Sequence, residues 1–154
     1  LDQGVRPDAL EAVLDCRPTR PLDFDRRVRA VSAFLEQTEA FSLAATNKRI
    51  RNLLKKVETV LPLEVCSELL IEEAEQALAR RLVELSSEAI QLMENGLYGE
   101  ALNQLMHLRE PVDAFFDQVL VMANDPVLRD NRIALLNELS SLFLRVADFS
   151  RLRD

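Results

Sequence analysis

The side chains best suited to chemistry in this chain are cations gathered between positions 47 and 56. Five basic residues fall within nine consecutive positions, with no acid among them: Lys48, Arg49, Arg51, Lys55 and Lys56. Asn47 and Asn52 add polar amides to the same stretch. Cations one turn apart on a helix repel each other, and a polyanion whose phosphates they neutralise relieves that repulsion. The run therefore favours a phosphate-rich ligand, with asparagines and arginines suited to exposed base edges.

An alternative explanation satisfies the same cations internally. Ile50, Leu53, Leu54 and Val57 recur at helical spacing, so we expect this helix to bury one side and hold its cations outward. Carboxylates from the second half of the chain would then pair with the cations and leave a solvated surface without a ligand. The residue pattern alone leaves both explanations open.

A second polar group stands near the start of the last predicted helix. Arg129 and Arg132 lie three residues apart, with Asn131 between them, and we include all three as candidate contacts to the same anion. The preceding helix offers three acids as alternative partners: Glu110, Asp113 and Asp117.

Nothing in the sequence predicts a catalytic or metal site. His107 is the only histidine, and it has no nucleophile or ligand set nearby in the sequence. Three glycines are too few for a phosphate-binding loop. The acids near Glu72 and Glu75, and the Asp113 and Asp117 pair, are expected to form solvated surfaces rather than a divalent-ion site.

The remaining cysteines and aromatics point to structure rather than chemistry. Cys16 and Cys66 lie fifty residues apart without histidine partners, which is typical of buried or half-buried thiols in a reducing compartment. Phe115 and Phe116 are expected in the core. Tyr98 follows a glycine turn, and we expect it to be exposed.

Composition favours one helical domain spanning residues 1–154. Hydrophobic residues make up 48% of the chain and glycine only three positions, a mixture that suits helices. The formal net charge is −7, which argues against a generic nucleic-acid binder. However, residues 1–57 carry eleven basic against eight acidic side chains, and residues 58–154 carry eight against eighteen. This asymmetry leaves room for one basic face.

Hydrophobic periodicity predicts an all-α antiparallel bundle without a sheet. Residues 1–37 should form N-terminal helices that lead into it, and Thr38 is the expected N-cap of the basic helix. No apolar run in the sequence is long enough to cross a membrane. No signal peptide is visible either. The predicted helices cover residues 8–15, 22–37, 39–57 with a possible break near Asn47, 67–95, 98–109, 111–123 and 126–149.

Three segments resemble the beta chain of bacterial glycyl-tRNA synthetases. The first runs from Arg17 to Val31, and the second is the basic run from Asn47 to Lys56. The third extends from Leu108 to Asp117 and continues through Asp125-Pro126 to Leu136; it is similar to the DALR-type anticodon-binding domain shared with arginyl-tRNA synthetases. The segments occur in the family's order and span nearly the whole chain.

This resemblance implies a function that composition does not show. The chain is expected to be the C-terminal piece of a larger cytoplasmic synthetase, binding the anticodon stem-loop of tRNA(Gly) and touching the remainder of the beta chain and the alpha chain. The parent enzyme would use ATP, Mg and glycine, whereas this domain would hold no cofactor, metal or catalytic residue. The family match supports RNA contact by the basic run. A helical docking module without direct RNA contact is the alternative function.

Overall fold

The computed structural model describes residues 7–14, 21–57 and 64–148. Seven α-helices and two short 3₁₀ turns, at Ser67–Leu69 and Met106–Leu108, form these ranges, which contain no strand. The predicted all-α class is therefore confirmed. The helices are α1 Pro7–Leu14, α2 Pro21–Phe34, α3 Thr38–Lys55, α4 Glu73–Glu94, α5 Tyr98–Leu105, α6 Arg109–Gln118 and α7 Pro126–Leu144.

Helix α4 is the central element, since it packs against α5, α6 and α7. Helix α2 packs against α1 and α5, whereas α3 lies mainly against α7. The largest side chains that these helices bury completely are mostly aliphatic, which is why the apolar periodicity predicted the bundle. They are Phe115, Phe143, Ile50, Leu78, Leu102, Leu105, Leu108, Ile133, Leu135, Leu136 and Leu139.

Local sequence signals set two of the helix boundaries that position the rest. Asp125 caps α7, because its Oδ1 accepts the Val127 backbone N–H at 2.9 Å, and Pro126 occupies the first helical position. Gly96 follows α4 with a φ of 75°, a backbone conformation that glycine adopts without steric cost. Both boundaries were predicted from the sequence.

The helix predicted over 67–95 is shorter than expected. Ser67–Leu69 is a 3₁₀ turn and α4 begins only at Glu73. Glu72 precedes α4 in an extended conformation, and its backbone N–H donates to Oε1 of Glu75 at 3.2 Å. This hydrogen bond is of the capping-box kind and marks the start of α4. The apolar residues continue on both sides of this boundary, which is why a single longer helix was predicted.

Several further boundaries differ from prediction, among them the end of α5 at Leu105 and the start of α6 at Arg109. Helix α3 continues through Asn47 without a break, and Thr38 is its first helical residue rather than its cap. Helix α6 ends at Gln118, because Val119 is extended with φ −114° and ψ 128°. Helix α7 ends at Leu144.

The structure also reports on several single-residue expectations. Cys66 is exposed, so the expected burial of that thiol was wrong, and Cys16 lies outside the described residues. Tyr98 is buried rather than exposed, while Phe115 is buried as predicted. Across the described ranges, every helix is too short or too polar to serve as a transmembrane span.

Candidate nucleic-acid interface

Helix α3 presents two different sides, as its sequence predicted. Ile50 and Leu54 are buried, and Leu53 and Val57 pack partly buried against the core. This apolar side faces α7 and the Met106–Leu108 turn. Because the helix is anchored along this stripe, the remaining side chains of its second half project from a fixed backbone.

Four of the predicted contact residues lie at the surface of α3 and its C-terminal end: Arg49, Asn52, Lys55 and Lys56. Neither Lys55 nor Lys56 has a carboxylate of the described residues within ion-pair distance. Both sit where the backbone carbonyls at the end of a helix favour positive charge. An anion is therefore free to approach these two ammonium groups from solvent.

Lys48 and Arg51 are partly buried at the edge of this surface. Nε of Arg51 lies 4.0 Å from Oδ1 of Asp148, at the limit of an ion pair. The predicted alternative of internal carboxylates is thus realised for Arg51 and not for the lysines that end the helix.

Arg49 is held by an aromatic ring instead of a carboxylate. Its guanidinium carbon lies 4.9 Å from the ring centroid of Phe116 on α6. The Phe116 ring in turn meets Phe115 edge-on, with centroids 5.6 Å apart and an interplanar angle of 88°. This layered contact gives Arg49 a preferred orientation while leaving the residue exposed.

Asn47 is the one member of the predicted run that the fold places inside the domain. It is only 2% exposed, and its Oδ1 has no hydrogen-bond partner among the described residues. A helix that buries Ile50 and Leu54 also buries the position three residues before Ile50. This burial argues against a direct contact between Asn47 and a ligand.

The second predicted group, at 129–132, is also mostly internal. Arg132 is 5% exposed, and its Nη2 lies 3.0 Å from Oε1 of Glu75, which is fully buried. The other terminal nitrogen, Nη1, donates to the backbone carbonyl of Leu120. Arg132 therefore ties the start of α4 to the segment between α6 and α7, and is not presented to a ligand.

Asn131 performs a similar structural task beside it. Its Nδ2 donates to the Cys66 carbonyl at 3.1 Å, and its Oδ1 accepts the Cys66 N–H at 2.7 Å. Both halves of the amide are thus used on one backbone position, and only 4% of the residue is exposed. Arg129 is partly buried at the start of α7. Contact with an anion at Asn131 and Arg132 would require these internal bonds to break.

The prediction of which acids pair with this group was also wrong. Arg132 pairs with Glu75, whereas Glu110, Asp113 and Asp117 remain exposed on α6. Glu75 had been expected on a solvated acidic surface, but it is completely buried. The partner lies 57 positions away in the chain, so helical spacing gave no sign of it.

A further polar network, not predicted from the sequence, joins α2, α5 and the end of α7. Asp23 accepts the Tyr98 hydroxyl and lies 2.8 Å from Nε of Arg27. Arg27 also donates to the carbonyls of Arg145 and Val146 at 2.7 and 3.2 Å. The i,i+4 spacing of Asp23 and Arg27 was the only signal available in the sequence.

This network changes the acidity of two groups. Burial acts to raise the pKa of Asp23, but hydrogen bonds from Tyr98 and Arg27, with the charges of Arg27 and Arg26, outweigh it and hold the pKa below 3.8. Burial and the bond to Asp23 raise the pKa of Tyr98 above 10.0. Because these groups hold helices together, we assign them a structural role.

The described residues offer no arrangement for catalysis. His107 is exposed beside a cleft of about 470 Å³ that mixes cations and acids. No three His, Cys, Asp or Glu side chains in the described ranges are placed to hold a metal ion. What the surface of α3 provides is a fixed set of positive and amide groups, which suits binding of an anion.

Comparison with known proteins gives this surface a context. The family model of the DALR anticodon binding domain matches residues 43–146, which run from within α3 to just past α7. The chain is 55% identical over 152 residues to the glycine–tRNA ligase beta subunit of Aeromonas hydrophila and 52% identical over 153 residues to that of Vibrio atlanticus. Each alignment covers 99% of this chain and 22% of the relative. The match over most of its helices shows that the chain belongs to the DALR anticodon-binding domain family.

Proposed function

We propose that this chain binds the anticodon stem-loop of tRNA(Gly) through the second half of α3, as part of a glycine–tRNA ligase beta subunit. The observation that carries the proposal is the pair of exposed lysines, Lys55 and Lys56, without carboxylate partners in the described residues on a helix whose other side is buried. The family match and the beta-subunit relatives support the same ligand.

The structure narrows the set of residues assigned to the interface. Arg49, Asn52, Lys55 and Lys56 are exposed, and Lys48 and Arg51 lie at the margin. Phosphate contacts by the lysines position the RNA, whereas sequence must be recognised through its bases. The buried Asn47, Asn131 and Arg132 are left out of the interface.

The wider role belongs to the whole ligase. The chain spans about a fifth of the length of its beta-subunit relatives. In this proposal the cytoplasmic enzyme charges tRNA with glycine using ATP and Mg at sites outside this domain. The domain contributes tRNA binding, and it contacts the remainder of the beta chain and the alpha chain.

A second candidate function is docking to other parts of the ligase without RNA contact. Exposed apolar side chains in and next to the segments that Arg132 joins favour it. Arg132 joins Leu120 and the start of α4 there, and the neighbouring Leu120, Met122, Val127 and Ile71 are each more than half exposed. Apolar groups in such number favour a protein partner over RNA. The two functions use different surfaces, so a binding experiment separates them.

The test measures affinity for a fluorescent tRNA(Gly) anticodon stem-loop by anisotropy at several salt concentrations. Replacing both lysines, Lys55→Gln with Lys56→Gln, should weaken binding about tenfold near 0.1 M salt and reduce the slope of log K against log salt by about 1.4, since each phosphate contact contributes about 0.7. Arg80→Gln is the matched control, because Arg80 is an exposed cation on α4.

Two outcomes would contradict the proposal. One is a folded double variant, with an unchanged circular dichroism melting curve, that binds as tightly and with the same slope as the wild type. The other is an Arg80→Gln control that weakens binding as much as the double variant. Absence of salt-sensitive RNA binding by the wild type would favour the docking function.

A further inference from the structure

We propose that Arg49, seated on Phe116, forms a stacking platform for one unpaired nucleobase of the bound RNA. This inference rests on the proposed function and adds to it the position at which a base, rather than a phosphate, is recognised. From the sequence, base contact was expected of the asparagines and arginines of this run as a group, and Phe116 was expected in the core.

The first support is the layered geometry of three side chains. Phe115 is fully buried and fixed in the core. Phe116 stands at 88° to it and is only partly buried. The Arg49 guanidinium then lies 4.9 Å above the Phe116 centroid. The edge-on ring pair and the cation–π contact together favour one position of the guanidinium before any ligand arrives.

The second support is that Arg49 has no acidic partner among the described residues. No carboxylate of the described residues pairs with it, and the residue is exposed. A guanidinium is planar and weakly hydrated, and it stacks on aromatic faces. The guanidinium carbon of Arg49 lies over the Phe116 ring, and the solvent side of the group is suited to a base of a single-stranded loop, as in other RNA-binding proteins.

The third support distinguishes a base from a phosphate at this position. Asp113 lies one helical turn before Phe116 on α6 and is exposed. This spacing places Asp113 on the same side of α6 as Phe116, where a carboxylate repels a phosphate but not an uncharged base. It also accepts hydrogen bonds from exocyclic amino groups, as acidic side chains do from cytosine N4.

The fourth support is the alignment of the platform with the phosphate contacts. Asn52 and Lys56 follow Arg49 at spacings of three and seven, on one side of α3. At 1.5 Å per residue the stripe is about 10 Å long. An RNA strand that runs along it and contacts Lys56 through a phosphate reaches Arg49 with a neighbouring nucleotide.

The experiment is a double-mutant cycle between protein and RNA. Abasic sites are placed at each loop position of the tRNA(Gly) anticodon stem-loop in turn, and affinities are measured for the wild type and for Arg49→Lys. One abasic site should weaken wild-type binding about tenfold, because it removes the base that stacks on the platform. The same abasic site should have almost no effect on Arg49→Lys, which keeps the charge but loses the plane.

Two controls make the result specific. Lys55→Gln should weaken binding of every RNA by a similar factor and preserve the abasic penalty. Arg49→Lys should keep the wild-type salt slope, since its charge is unchanged. If wild type and Arg49→Lys show equal penalties at every loop position, the platform is refuted even though RNA binding stands. If the lysine variants leave RNA binding unchanged, the failure lies with the proposed function instead.

Discussion

Two arginines of this chain show how a residue type acquires opposite roles. Arg49 is exposed and lies on an aromatic ring, whereas Arg132 is buried and pairs with Glu75. Both were predicted to contact RNA from their local spacing. Spacing along one helix identified the exposed side of α3 correctly, but Arg132 found its partner on a different helix. Only the packing of α4 against α7 decides that.

The buried pair leads to a prediction about stability. Replacing Arg132 alone, as in Arg132→Met, should lower the free energy of unfolding by about 3–5 kcal/mol, because Glu75 is left as an uncompensated buried charge. Adding Glu75→Gln should recover much of this loss, since Gln keeps an acceptor for the Glu72 N–H. Urea unfolding followed by circular dichroism measures both. A single variant that loses less than about 1 kcal/mol would show that the pair contributes little.

At the scale of helices, local chemistry predicted some boundaries and missed others. Asp125-Pro126 and Gly96 act through hydrogen bonds and backbone geometry within a few residues, so the sequence predicted them correctly. The late start of α4 at Glu73 and the early end of α6 at Gln118 lie next to the segments that Arg132 joins. Contacts between distant residues therefore accompany the boundaries that periodicity missed.

The contact between α2 and α5 predicts a dependence of stability on pH. The pKa of Asp23 is depressed in the folded state, so its carboxylate stabilises the fold above the unfolded value of 3.8. That contribution is lost as pH falls through the lower folded pKa. Asp23→Asn should melt earlier than the wild type at pH 6, corresponding to about 1 kcal/mol, and the difference should shrink as the pH falls below 3.8 and through the lower folded pKa.

Asp25→Asn is the matched control for this measurement. Asp25 also pairs with an arginine four residues later, at 2.9 Å, but both side chains are about half exposed. Exposed pairs of this kind contribute little, so the variant should melt like the wild type throughout. A constant difference between Asp23→Asn and the wild type from pH 6 to pH 2 would contradict the assigned role of the carboxylate.

At the scale of the whole molecule, the charge distribution reconciles an acidic protein with an RNA ligand. The net charge of −7 is concentrated after residue 57, while the exposed lysines lie at the end of α3. At physiological salt the Debye length is about 8 Å, so acids elsewhere on the surface are screened from an RNA bound at α3. The composition predicted the asymmetry, and the fold places the exposed Lys55 and Lys56 together at the end of α3.

Because of this screening, we expect a salt-dependent effect of acids that lie outside α3. Glu64, Glu68 and Glu94 are exposed, and changing all three to Gln moves the net charge from −7 to −4, since each change removes one negative charge. Near 0.02 M salt, where the Debye length exceeds about 20 Å, the triple variant should bind any single-stranded RNA several-fold more tightly. Near 0.15 M salt it should bind like the wild type, because screening removes the long-range repulsion. Anisotropy with the anticodon stem-loop and with an unrelated oligonucleotide of equal length measures both regimes. A gain confined to the stem-loop, or one that persists at 0.15 M, would instead place those acids beside the bound RNA.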